Sequence, residues 1–132
     1  MATRAPSAVT TATAGGRAPQ VRLRLRVVVD EVVAIGPGKV ALLEAVAEHG
    51  SISAAARSLE MSYRRAWLLL DELNRALRSP AIVTAHGGER GGGARLTATG
   101  ESVIALYRRI EARALAAGAP QIGQLLDLLR TP

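Results

Sequence analysis

Apolar positions recur with a helical period through Gly50–Asn74, GSISAAARSLEMSYRRAWLLLDELN. Ile52, Ala55, Ala56 and Leu59 fall at i, i+3, i+4 and i+7, the buried stripe of a short helix, and Ser51 precedes it where a hydroxyl can accept from the free N–H groups of a first turn. Glu60 and Met61 leave room only for a turn before Ser62, a second capping residue, so the next helix must cross the first steeply. At about 100° per residue, Tyr63 to Leu77 places Ala66, Leu69, Leu70, Leu73 and Leu77 on one arc. Arg64, Arg65, Leu68, Asp71, Glu72 and Arg75 take the opposite arc, with Tyr63, Trp67 and Asn74 on a border between the two. Small Ala54 to Ala56 allow a close crossing, and the pair predicts a helix-turn-helix.

The flanking patterns predict what surrounds this pair. From Val21 to Val29 the period is 2, with Val21, Leu23, Leu25, Val27 and Val29 on one side and Arg22, Arg24 and Arg26 on the other, which predicts one half-buried strand. Asp30 to Ile35 is ambiguous, and Gly36-Pro37-Gly38 ends it. Pro37 suits the first turn of a helix through Lys39, Leu42, Leu43, Val46 and Ala47 to His49, stopped by Gly50. Beyond Pro80, Ala81 to His86 reads as a strand running into Gly87 to Thr97, a hairpin with a glycine-rich tip and a candidate wing. Thr97 can cap a long helix with a stripe of Val103, Tyr107, Ile110 and Ala114, broadened by Ile104, Leu106 and Leu115, whose excess apolar surface suggests a partner helix. Gly118 and Pro120 are expected to stop it, leaving Ile122, Leu125, Leu126 and Leu129 as the stripe of a short terminal helix.

The expected fold is therefore mainly α with a small β wing: a winged helix-turn-helix with an N-terminal strand and a long C-terminal dimerisation helix. Residues 1–20, which show neither period, are expected to form a disordered tail, residues 21–118 the domain, and residues 119–132 a short helix or tail.

Composition narrows the function. A formal charge of +6 and a pI near 11.2 favour a polyanionic partner, since basic surface attracts phosphates and releases counterions on contact. Cysteine is absent, which removes disulfides and thiolate metal sites, and no apolar run approaches the roughly 20 residues of a membrane span. The expected setting is the cytoplasm, at the nucleoid. Only Tyr63, Trp67 and Tyr107 are aromatic, too few for a base-stacking single-strand platform. No nucleophile–base set stands out: His49 fits a helix C-terminus better than a metal site, neither His49 nor His86 has an evident paired carboxylate, and the serines look like caps. An enzyme is not expected, nor a metal or cofactor.

The candidate DNA-facing residues are Ser51, Ser53, Ser62, Tyr63, Arg64, Arg65, Leu68 and Arg75 of the helix pair, with Arg90 and Arg95 of the wing. The N-terminal end of a recognition helix meets base edges and phosphates, and an arginine fork can bind guanine O6 and N7 together. The plainer reading, a solvated charged face, stands at even odds for Arg64 and Arg65 taken alone, and for Arg22, Arg24 and Arg26 a guard against edge-to-edge pairing ranks above ligand binding. The glycine loop could instead cradle an oxyanion, but a P-loop needs GxxxxGK[ST], and here Ala94-Arg95 follows Gly93. Three readings follow: a dimeric sequence-specific regulator, a non-specific architectural coater of DNA, and an oxyanion-binding sensor.

PGKVALLEAVAEHGSISAAA, MSYRRAW with DELN behind it, and GGERGGGARLTATG together resemble the N-terminal DNA-binding domain of the molybdate-responsive ModE family, and more loosely the winged helix of LysR-type regulators. The likeness runs from about Val21 to Ala117. It implies a winged helix that dimerises through its terminal helices and regulates genes for molybdate uptake or molybdoenzymes. Under it Ser62, Tyr63, Arg64, Arg65 and Trp67 belong to the recognition helix and Gly87 to Arg95 to the wing. Long members of the family carry a further C-terminal region of small β-barrels that binds the oxyanion; only Ala119 to Pro132 follow the long helix here, so this chain is expected to lack that sensor.

Overall fold

The computed structural model describes residues 8–10, 18–85 and 93–130. In chain order the elements are β1 (Ala8–Thr10), β2 (Gln20–Arg22), β3 (Val27–Val29), β4 (Val32–Ile35), α1 (Pro37–His49), α2 (Ile52–Ser58), α3 (Tyr63–Ala76), β5 (Ile82–Thr84), β6 (Ala94–Leu96) and α4 (Ala98–Leu126). The strands form three antiparallel pairs, β1 with β2, β3 with β4, and β5 with β6. The chain divides into two compact units, one of residues 25–106 and one that joins residues 1–24 to residues 107–132.

In the first unit the core is where the helical periods converge. Val40, Leu42, Leu43 and Val46 of α1, Ile52, Ala55 and Ala56 of α2, and Ala66, Leu70 and Leu73 of α3 are all buried, joined by Ala81, Ile82 and Ala94 from the second hairpin. Alanines at the α2 face let α1 and α3 approach it closely, and α1 also packs on β6. The helix ends are fixed by the residues that the pattern marks. Pro37 opens α1, and Gly50, at φ 78°, closes it with its N–H donated to the Val46 carbonyl at 2.8 Å. The Ser51 hydroxyl accepts from Ala54 N and the Ser62 hydroxyl from Arg65 N, each at 3.1 Å.

Between α2 and α3 the turn is a Schellman closure: Met61 N donates to the Ala56 carbonyl at 3.0 Å and Glu60 N to the Arg57 carbonyl at 3.1 Å. Glu60 takes the left-handed conformation this requires, at φ 56°. The closure reverses the chain within two residues and fixes the direction in which α3 leaves.

The single strand expected over Val21 to Val29 is broken. Half-buried Val21, Leu23 and Leu25 do alternate with exposed Arg22, Arg24 and Arg26, but Val27, Val28 and Val29 are all exposed, and residues 23–26 lie outside any ladder. The ambiguous Asp30–Ile35 stretch supplies a return strand. Asp30 and Glu31 both have positive φ, 48° and 66°, and form the two-residue loop of a β3–β4 hairpin with Val29 opposite Val32. A register shift between Val27, opposite Ile35, and Val28, opposite Val33, leaves Ala34 as the extra residue of a bulge in β4.

In the second unit Ala8–Thr10 pairs with Gln20–Arg22, so the expected tail contributes a strand and residue 20 lies in a ladder. Helix α4 does not stop at Gly118 and Pro120; it runs unbroken to Leu126 with Pro120 inside it, so the separate terminal helix is the end of this one. Proline removes one N–H and leaves the Ala116 carbonyl without its helical donor, but Ala116 and Pro120 are exposed, where water can serve that carbonyl. The buried stripe also differs from the expected one. Tyr107, Glu111 and Leu115 are buried, at i, i+4 and i+8, while Ile110 and Ala114 face outward. The Glu111 carboxylate is neutralised by Arg108, whose Nη1 donates to Oε1 at 2.7 Å.

Candidate nucleic-acid interface

Helix α3 presents its polar arc to solvent because the opposite arc is held from behind. Ala66, Leu70 and Leu73 are buried and Leu69 and Leu77 pack against the same core, which leaves Ser62, Tyr63, Arg64, Arg65 and Leu68 exposed together. Arg64 and Arg65 have no ion-pair partner among the described residues, so both guanidinium groups keep their donors for a ligand. Two open grooves flank them, one lined by Tyr63, Arg64, Trp67 and Leu68, the other by Ser62, Arg64, Arg65, Leu68, Leu69 and Glu72. The first turn adds its own unpaired N–H groups beyond the one Ser62 satisfies, a partial positive charge beside two full ones.

The β5–β6 hairpin is tied to the helices by one side chain of α3 and by a backbone bond to the α1–α2 segment. Asn74, near the end of α3, accepts from Ala81 N at 2.8 Å and donates to the Ile82 carbonyl at 3.4 Å, so the start of β5 is clamped to α3. On the other strand Ala94 N donates to the Gly50 carbonyl at 2.9 Å, linking β6 to the segment between α1 and α2. The Thr97 hydroxyl donates to the Pro80 carbonyl at 2.6 Å, and the same oxygen accepts from Gly100 N at 3.1 Å, so it caps α4 and closes the base of the hairpin. Gly100 lies so near the wing that an added Cβ would stand 2.2 Å from the Ala81 carbonyl oxygen.

A buried cation completes the support. Lys39 of α1 is 5% exposed; its Nζ donates to the Val33 carbonyl of β4 and lies 3.1 Å from Glu72 Oε1 of α3. One lysine thus ties the β3–β4 hairpin and α3 to α1.

Residues 38–101, from α1 into the first turn of α4, match the bacterial regulatory helix-turn-helix protein, lysR family. The molybdenum-pterin-binding protein MopB of Rhodobacter capsulatus is 49% identical over 78 residues, 59% of this chain and 29% of that protein. The molybdenum transport protein ModE of Azotobacter vinelandii is 36% identical over 88 residues, 67% of this chain and 33% of its own length. The DNA-binding transcriptional dual regulator ModE of Escherichia coli K12 is 39% identical over 71 residues, 54% of this chain and 27% of that protein. Residues 38–101 thus match a lysR-family helix-turn-helix, and this chain is similar to the ModE proteins. It spans about a third or less of the curated relatives it matches.

Within this helix-turn-helix region and its flanks the anticipated residues fall into groups. Ser62, Tyr63, Arg64, Arg65 and Leu68 share one exposed surface on α3. Arg75 lies farther along the helix, where its Nε pairs with Asp71 at 3.0 Å. Ser53 is exposed on α2, whereas the half-buried Ser51 uses its hydroxyl as a cap. Arg95 is exposed on β6, and Arg90 with the glycine tip at Gly87 to Gly92 lies outside the described residues. His49 ends α1, 3.8 Å from the Glu48 carboxylate, and His86 lies outside the described residues. No described helix is long and apolar enough to cross a membrane.

Sequence reasoning missed the supporting contacts of Lys39 and Asn74. Lys39 read as one more position on an amphipathic helix and Asn74 as a border residue. The available signal was Asn74 itself, a poor helix former set between Leu73 and the Pro80 break.

Proposed function

We propose that this chain is a sequence-specific regulator of transcription that binds palindromic double-stranded DNA as a dimer at the bacterial nucleoid, acting on genes of molybdate transport or molybdoenzymes. The observation that carries the reading is the exposed arc of α3, where two arginines without ion-pair partners among the described residues stand beside a capped helix N-terminus on a leucine-backed helix. Arg64 and Arg65 bind base edges and phosphates in the major groove, with Ser62, Tyr63 and Leu68 beside them. Ser51, Ser53 and Arg75 contribute further contacts to the DNA, and Arg90 and Arg95 meet the phosphate backbone from the wing. Relatives named for molybdenum transport support the gene class. Exposed Leu106, Ile110 and Leu125 along α4, with Leu128 and Leu129 just beyond its end, support a partner helix, which would bring two recognition helices to successive turns of one DNA face. The domain does this without a bound cofactor.

Enrichment from a pool of random duplexes, followed by competition, tests this reading. A recovered palindrome held at least about 1,000-fold tighter than random DNA supports it. Equal affinity for both makes the protein a non-specific coater. Sedimentation reports whether two copies bind per site, calorimetry with molybdate, tungstate and sulfate is expected to be flat, and immunoprecipitation of chromatin identifies the genes beside the sites.

A further inference from the structure

Three large apolar side chains lie bare on α3 beside Arg64 and Arg65, Leu68 on their arc and Tyr63 and Trp67 on its border. Tyr63 is 56% exposed, Trp67 46% and Leu68 47%. Tyr63 and Trp67 are one helical turn apart and Leu68 follows Trp67, so with Arg64 they line one continuous groove. They are not overflow from the core, which α3 already serves with Ala66, Leu70 and Leu73 on the opposite arc. Scattered apolar residues on a surface call for no explanation, but a cluster on a ligand-facing helix does.

The chemistry of the neighbourhood restricts what can cover the cluster. Its occupant must carry negative charge for the arginines and apolar surface for the rings and the leucine, in the same groove. Duplex DNA meets both demands at one place: in the major groove the thymine 5-methyl is the apolar group on the edge of a base pair, set between polar edges and flanked by phosphates.

Resting on the DNA-binding reading above, we infer that Tyr63, Trp67 and Leu68 are specificity-determining residues that read thymine 5-methyl groups, while Arg64 and Arg65 read polar edges and phosphates. Each half-site then contains at least one thymine whose methyl is buried against this cluster. The domain distinguishes that thymine from cytosine, and from any base that lacks the methyl, by apolar contact rather than by a hydrogen bond.

Uracil substitution isolates the claim, because uracil differs from thymine only by that methyl. In the duplex enriched by the wild-type protein, each thymine is replaced by uracil in turn and affinity is measured. At one or more positions in each half-site binding is expected to weaken about 3- to 5-fold, the effect of exposing one buried methyl. That penalty should shrink to near unity in Leu68→Ala or Tyr63→Ala, both exposed positions whose loss leaves thermal unfolding unchanged. It should persist in Arg64→Ala, which weakens binding to the thymine and uracil duplexes alike. Uracil neutral at every position, or a penalty that survives intact in both Leu68→Ala and Tyr63→Ala, overturns the inference and leaves the regulator reading standing. If no duplex is enriched at all, both fall.

Discussion

Lys39 offers the sharpest test of how the recognition helix is held. Its ammonium group is almost wholly enclosed, yet the Glu72 side chain that faces it is 51% exposed. This asymmetry separates the two ways of breaking the pair. In Glu72→Ala the ammonium remains buried with only the Val33 carbonyl to solvate it, and an uncompensated charge in such a position costs several kcal/mol. Because Glu72 is itself half in water, and alanine suits an exposed helix slightly better, the expected loss is about 2–3 kcal/mol. In Lys39→Met the buried charge disappears with its partner contacts, methionine fills the same channel, and water takes over Glu72. What remains is the lost hydrogen bond to Val33, an expected loss of about 1 kcal/mol. The double variant should resemble Lys39→Met alone, so the cycle should show a coupling of about 2–3 kcal/mol, as large as the Glu72→Ala loss itself. Urea unfolding followed by circular dichroism reads all four proteins, with the midpoint moving and the slope constant. If Glu72→Ala proves no more costly than Lys39→Met, or if the two losses simply add, the buried lysine is not held as described.

Three further substitutions probe the joints around α3. Asn74→Ala strands the N–H of Ala81, a residue with 0% exposure, and should cost about 1–3 kcal/mol with faster hydrogen exchange at the Ala81 amide. Gly100→Ala must push α4 away from the wing strand, since its Cβ would stand 2.2 Å from the Ala81 oxygen, and should cost roughly 3 kcal/mol in thermal or urea unfolding. Glu60→Gly relieves a left-handed residue at φ 56°; after the greater freedom glycine gives the unfolded chain, a net gain of about 0.5–1 kcal/mol is expected.

The helix-turn-helix was legible because each of its boundaries is a local event. Ser51, Ser62 and Thr97 cap the helices they precede, Gly50 closes α1, and the apolar periods of α2 and α3 predict the residues that are buried. The misreadings have separate physical causes, each an exception to a local rule. Asp30-Glu31 makes a two-residue hairpin turn without the Asn or Gly that normally signals one, so β4 was ambiguous. Pro120 is a strong breaker by itself, but on an exposed helix the carbonyl it frees turns to water and α4 continues. Glu111 sits on a buried stripe that a hydropathy pattern assigns to solvent, because Arg108 one turn earlier satisfies its charge. The candidate surface was visible as a wheel of residue types. Which arc is buried follows from the leucines, but the clamp of Asn74 on β5 and the bridge from Lys39 to Glu72 join residues whose partners no periodicity reveals.

The central claim is that the N-terminal end of α3 enters the major groove and reads bases there through Arg64 and Arg65. Dimethyl sulfate protection on the enriched duplex tests it most directly, because the reagent methylates guanine N7 on the major-groove edge. Bound wild-type protein should shield guanines at positions repeated in both half-sites, and that shielding should vanish in Arg64→Ala/Arg65→Ala at concentrations that still saturate the DNA. Occupied sites whose guanine N7 atoms stay fully reactive, or shielding that the double substitution leaves intact, would contradict the account.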